Sequence, residues 1–175
     1  MNYNPSTIAR IADIHRGIRV DTGTLVAATY FSHAGGAASQ HELYNVVGRV
    51  WLLSAFLEVI TADFSAHGAM ICWNATFSSV AYTVQPIGTK CAAVTSLKIG
   101  HRVVWGGGAL ATAATITTKP YLSDFANVAP MLVGGENSVG TIGLLGSDAT
   151  LNAGSFISVL YYVPSSDGAY VEAKV

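Results

Sequence analysis

From residue 22 onward the chain is a succession of short runs rich in β-branched and aromatic residues, each cut off by glycine, proline or a polar turn. That rhythm excludes long helices and requires strands that change direction often. Strands are predicted at 24–31, 42–47, 50–61, 69–77, 80–84, 92–97, 102–105, 112–117, 131–133, 141–145, 156–163 and 169–173. The breaks between them are Gly35-Gly36, Pro86-Ile87-Gly88, Gly106-Gly107-Gly108, Lys119-Pro120, Gly134-Gly135, Gly146-Ser147-Asp148 and residues 164–168. Many short strands with closely spaced turns indicate an all-β sandwich or barrel, and the strand count favours a jelly-roll-like β-sandwich. The sandwich domain is assigned to residues 22–175 and a short N-terminal helical or extended arm to residues 1–21.

Two runs stand out. Residues 50–61 are apolar at nearly every position, whichever way the side chain points, which requires cover on both faces of the strand. The domain core supplies one layer, and a neighbouring subunit is a candidate for the other. A helix is the rival assignment for a run of this length. Residues 156–163 form a clearer strand, stopped by Pro164.

The arm reads differently. Asn4-Pro5 offers a helix start, with proline at the first helical position. Ile8, Ile11, Ile14 and Ile18 then recur at helical spacing, and Gly17 is placed to end the helix. Arg10, Arg16 and Arg19 make the arm the most basic part of the chain. A helix this short needs a surface to pack on. That surface is either its own domain or a neighbouring subunit, so Ile8, Arg10, Ile11, Ile14, Arg16, Ile18 and Arg19 are the candidate partner-binding residues.

Charge is scarce. Only 11% of residues are charged while 51% are hydrophobic, against about 25% charged in an ordinary soluble domain. A surface so poor in ions exposes apolar area, which marks contact sites, and self-association is the expectation. The net charge of −1 and the lack of a basic run argue against nucleic acid as a partner. The longest apolar run falls short of the ~20 residues of a membrane helix. The N-terminus has no signal-type apolar core, so neither export nor membrane insertion is expected. On that ground the sequon at Asn74-Ala75-Thr76 is read as chance.

Motifs for chemistry are missing from the sequence. His15, His33, His41, His67 and His101 form no metal-ligand spacing, and Cys72 and Cys91 form no CxxC pair, so no metal or cofactor is expected. The cysteines are read as small buried hydrophobes, with a disulfide left open. Asp21, His33 and a serine could be drawn as a nucleophilic triad, but no Gly-x-Ser-x-Gly elbow accompanies them. Asp63, Asp124, Asp148 and Asp167 sit in predicted turns, where aspartate is ordinary. The glycine runs lack the lysine and helix of a phosphate loop. Trp51, Trp73 and Trp105 are expected in the core, and Tyr82, Tyr121 and Tyr170 half exposed.

Two stretches carry a resemblance. Residues 48–61 form a glycine-led apolar strand ending in Glu58-Val59-Ile60-Thr61. The second stretch joins Gly140-Thr141-Ile142, a small-residue turn at 152–155, the strand to Tyr162, and the turn Val163-Pro164 through Gly168-Ala169-Tyr170-Val171. Together they cover about a third of the chain and resemble small structural proteins of tailed-bacteriophage virions, of the capsid decoration or cement type. The resemblance implies a non-enzymatic homotrimer made in the host cytoplasm. It would sit on the capsid surface and tie the major capsid protein lattice together. The readings set against it are a carbohydrate-binding tail or baseplate module and, behind that, a small hydrolase whose site forms only in space.

Overall fold

A computed structural model of the chain describes residues 17–30, 40–61, 70–77, 85–87, 97–105, 115–117, 130–147 and 154–174. Among them are eleven strands and one helical turn. The strands are β1 (Ile18–Val26), β2 (Gln40–Val47), β3 (Val50–Thr61), β4 (Met70–Phe77), β5 (Gln85–Pro86), β6 (Arg102–Val104), β7 (Thr115–Thr117), β8 (Met131–Val133), β9 (Val139–Ser147), β10 (Ser155–Pro164) and β11 (Tyr170–Ala173). The helical turn, α1, is Ala27–Tyr30. The protein is all-β, as expected.

The strands form two antiparallel sheets. One runs β1-β10-β3-β6-β7, with β8 also paired to β3; the other runs β11-β2-β9-β4-β5. β3 is the axis of the first sheet. Along one edge it pairs with β10 from Val50↔Pro164 to Thr61↔Ser155. Its other edge is shared by two short strands, β8 opposite Val50–Leu52 and β6 opposite Phe56–Glu58. The chain passes between sheets at seven of the ten connections between the described strands, all but β4–β5, β6–β7 and β7–β8. The tightest crossing is Gly48-Arg49, between β2 and β3.

The sheets face each other across one apolar cluster. Tyr44, Val46, Trp73, Ile142 and Leu144 come from the second sheet, and Leu52, Leu57, Val103, Phe156 and Leu160 from the first. Each large aliphatic or aromatic side chain buried here contributes about 1.5–3 kcal/mol. The core is pinned by one polar bridge. Tyr44 Oη donates across it to Ser158 Oγ at 2.8 Å. On the far side, the Ser158 N–H donates to Thr22 Oγ1 at 3.1 Å. Thr22 lies in a bulge of β1, where the register with β10 shifts between Asp21 and Thr24. The bulge turns a hydroxyl onto a backbone group that the ladder leaves unpaired.

Around Phe56, β3 is covered on both faces within the one chain. Leu52, Ala55, Leu57 and Val59 enter the main core. Phe56 joins its cross-strand partners Val104 and Val159 in a separate buried cluster on the outer face, with Ile157 and Tyr161 against it. Arg102 closes this cluster. Its guanidinium lies 4.6 Å from the Phe56 ring centroid and pairs with Glu58 at 2.6 Å. A second subunit is therefore not needed to cover this part of the strand.

Three expectations are corrected. β1 starts at Ile18, so residues 18–21, placed above in the arm, belong to the first sheet: the exposed edge of β10 offers backbone partners that a lone helix end cannot match. The strand predicted at 24–31 ends at Val26 and gives way to α1, whose first N–H, that of Ala27, donates to Gly154 O. Pro86, taken as part of a turn, is in β5. Proline is tolerated there because β5 is the edge of its sheet. The strands predicted at 80–84 and 92–97 lie almost wholly outside the described residues, as do the loops at 35–36 and 106–108.

Two measurements test this construction. Tyr44→Phe is expected to cost about 1–2 kcal/mol in urea unfolding, since it leaves the buried Ser158 hydroxyl short of a partner. Gly134→Ala is expected to cost clearly more than Gly23→Ala. Both glycines have φ in the left-handed region, +81° and +66°, but a Cβ at 134 would lie 2.3 Å from Gly48 O, whereas at 23 it would meet nothing within 4 Å. The left-handed conformation alone costs about 1–2 kcal/mol per residue, so the excess at Gly134 reads the backbone collision.

Candidate interaction surface

The most elaborated part of the described surface is the end of the two-sheet stack where β2 crosses to β3. Three chain segments meet there: Gly48-Arg49, the β8–β9 turn at 134–138 and the β10–β11 turn at 164–169. The Gly48 N–H donates to Ser138 O and the Ser165 N–H to Arg49 O, each at 2.8 Å. The Arg49 N–H donates to Ser166 Oγ at 3.0 Å. Ser138 Oγ accepts from the Gly135 N–H at 2.6 Å, closing the β8–β9 turn on itself. Arg49 Nη2 reaches Glu136 at 3.3 Å. Both turns are thus tied to the crossing through backbone groups, which gives the end a fixed shape.

Between the turns lies an open cleft of about 1030 Å³, lined by Ile18, Glu136, Asn137, Val163 and residues 164–169. It offers carboxylates at Glu136 and Asp167, serine hydroxyls and an amide at Asn137, all suited to hydrogen bonding. Beside it, on the outer face of the first sheet, β10, β3 and β8 place Val163, Trp51 and Leu132 in one cross-strand row. Trp51 and Leu132 are 41% and 43% exposed. Trp51, Leu53, Pro130 and Val163 line a shallow apolar groove of about 370 Å³.

Of the residues singled out in the arm, Ile8, Arg10, Ile11, Ile14 and Arg16 lie outside the described residues. Ile18 and Arg19 are in β1. Ile18 borders the cleft, and Arg19 pairs with Asp21 at 3.3 Å on the outer face. Asp21, drawn above into a triad, also accepts from the Gly23 N–H at 3.3 Å, a turn-forming contact; His33 lies outside the described residues. Trp73 and Trp105 are buried as expected, with Trp105 Nε1 donating to Ile87 O at 2.7 Å. Trp51 is not, because strand alternation puts it on the outer face while Val50 and Leu52 point inward. Tyr170 is exposed as expected; Tyr82 and Tyr121 lie outside the described residues. Asn74 is fully buried in β4, so its sequon offers no acceptor to a glycosyl transfer. Sequence reasoning missed Leu132, Pro130, Glu136 and Asn137. The only signal was the Gly-Gly-Glu-Asn turn following a three-residue apolar strand.

No group of three or more His, Cys, Asp or Glu side chains stands together among the described residues. Among the described residues burial raises the pKa of the Tyr44 phenol, and two groups that titrate below neutrality also feel the fold. Burial lowers the pKa of His41, whose ring lies 5.6 Å from that of Tyr30. The Lys174 ammonium hydrogen-bonded to Glu42 lowers the carboxylate, with help from Thr141 and against a smaller effect of burial. The two act in the same direction. The unfolded chain takes a proton on histidine near 6.5, before the folded one does. Stability from a neutral His41 is therefore present above that pH and lost as pH falls below it. The Glu42 contribution is present above 4.5 and is lost further down. The urea midpoint is expected to fall as pH drops through 6.5, and His41→Gln is expected to flatten that step. An unchanged step in the variant would assign it to another group. Compared with protein-family models, curated proteins and solved structures, the chain matches none.

Proposed function

We propose that this chain is a non-enzymatic structural protein of a tailed-phage particle, a capsid decoration or cement protein. It is read as a jelly roll that binds the major capsid protein lattice as a homotrimer. The observation that carries the reading is the strand order. Eight strands, β1–β6 with β9 and β10, divide into β1-β10-β3-β6 and β2-β9-β4-β5. Numbered in chain order, that is first, eighth, third, sixth against second, seventh, fourth, fifth. This order supports a jelly roll, an architecture that serves viral capsids and lectins.

Fold alone does not choose among those uses; the surface does. The chain carries few charges, and an uncovered apolar row stands beside a rigid set of turns. A protein that holds other proteins together has a use for such a surface. The two stretches behind the phage resemblance fall on β3 and on β9, β10 and β11. β3 and β10 are paired partners in the first sheet, while β9 and β11 lie in the second, so the resemblance spans both layers of the sandwich. A glycan-binding module is the second reading, favoured by the polar lining of the cleft at Glu136, Asn137 and Asp167.

The deciding experiment adds the purified chain to undecorated capsids of the phage that encodes it, with a glycan panel in parallel and light scattering for mass. Saturable capsid binding by a three-copy species is expected. Retention on a glycan with no capsid binding would replace the cement reading with the second one.

A further inference from the structure

The outer face of the first sheet carries two apolar zones with different cover. Phe56, Val104 and Val159 are buried. The row Val163–Trp51–Leu132, nearer the cleft, is left open to solvent at two of its three members. We propose that the N-terminal segment, residues 1–16, docks on this row and seats Ile8, Ile11 and Ile14 against Val163, Trp51 and Leu132.

Three observations carry the assignment. The first is where the segment joins the fold. Gly17 sits against the groove: a Cβ built there would lie 2.7 Å from Leu53 Cδ1, and Leu53 lines the groove with Trp51. The second is reach. Ile14 is three positions from Gly17, at most about 11 Å of chain, so it cannot be far from the row. A segment tethered this closely competes at roughly millimolar effective concentration. Its own chain is therefore the favoured receptor over a second copy. The third is fit. At helical spacing Ile8 and Ile14 are about 9 Å apart. The row crosses three adjacent strands, a span of about 10 Å. The apolar stripe and the apolar row have the same length.

At about 100° per residue the same spacing sets Arg16 away from the isoleucines and Arg10 beside Ile14. Docking would present the Arg16 guanidinium outward from a sheet face that already carries the Arg19–Asp21 and Arg102–Glu58 pairs. That presentation to a partner rests on the virion reading; the docking itself does not.

Trypsin cleavage after Arg10 and Arg16 tests the docking on the full chain without capsids. A docked segment opens before it is cut, so the cleavage rate follows the open population. The double substitution Trp51→Ser with Leu132→Ser is expected to speed cleavage at both sites about tenfold, equivalent to ~1.4 kcal/mol of docking. Ile11→Asp is expected to do the same, and because it lies in the arm it leaves the β-domain untouched should the double variant fail to fold. Protection that does not change on dilution supports docking on the chain's own sheet. Equal cleavage rates in wild type and both variants would overturn the proposal, and so would protection that fades on dilution, which would move the receptor to a second copy. Failure to bind capsids with protection intact would count against the virion reading alone.

Discussion

The structure depends on β3 being greasy on both faces and paired along both edges. A strand with that composition has no stable exposed orientation, because each face left in water forfeits apolar burial on the scale of several side chains. The fold answers on every side but the outer face at Trp51 and Ile60. β10 takes one edge, β8 and β6 share the other, the second sheet covers the inner face, and Phe56 joins its neighbours on the outer face. Most of these partners are distant in sequence, so β3 finds its place only when the chain has closed on itself. The Tyr44–Ser158–Thr22 bridge then does what apolar packing cannot. It ties one sheet to the other in a single register, since sliding either sheet by one residue would bury the hydroxyls unpaired.

Electrostatics plays a minor part by comparison. Arg19–Asp21, Arg49–Glu136 and Lys174–Glu42 are exposed to differing degrees and close local turns or strand edges. Pairs of that kind contribute little to stability. Arg102–Glu58 is the exception in geometry. It is largely buried, and Arg102 Nε and Nη2 both reach Glu58 Oε2, at 2.7 and 2.6 Å. Placed over Phe56, it lets the outer-face cluster end against a charged pair instead of against water. Among the described residues the row on the same face has no such cap, and Trp51 and Leu132 stay exposed.

Much of the framework was legible because strand chemistry is local. The spans of β3 and β8 follow directly from the β-branched and aromatic runs and the glycines or prolines bounding them, and β10 differs by one residue at each end. What escaped was decided at a distance. Ile18 continues a helical spacing in sequence, yet the free edge of β10 draws it into a strand. Residues 27–30 sit in a run indistinguishable from strand. There, the hydrogen bond from the Ala27 N–H to Gly154, more than a hundred positions away, stands at the start of the helical turn. Pro86 reads as a turn until its place at a sheet edge is known.

The surface was harder to read for a related reason. Tryptophan in a strand is ordinarily core, and Trp73 and Trp105 follow that rule. Trp51 breaks it by one step of alternation, since Val50 and Leu52 already occupy the inner side. An apolar residue on the outer side of a fully paired strand is not there to complete the strand's own core. Phe56, five positions along, shows how the same face is satisfied when it has a cap, there the Arg102–Glu58 pair. Trp51 shows the face without one, at the point where the N-terminal segment joins the sheet. The juxtaposition of an open apolar row with the root of an isoleucine-bearing segment is invisible in sequence, where the row's members are as far apart as residues 51, 132 and 163. It becomes a physical unit only through the pairing of β3 with β8 and β10.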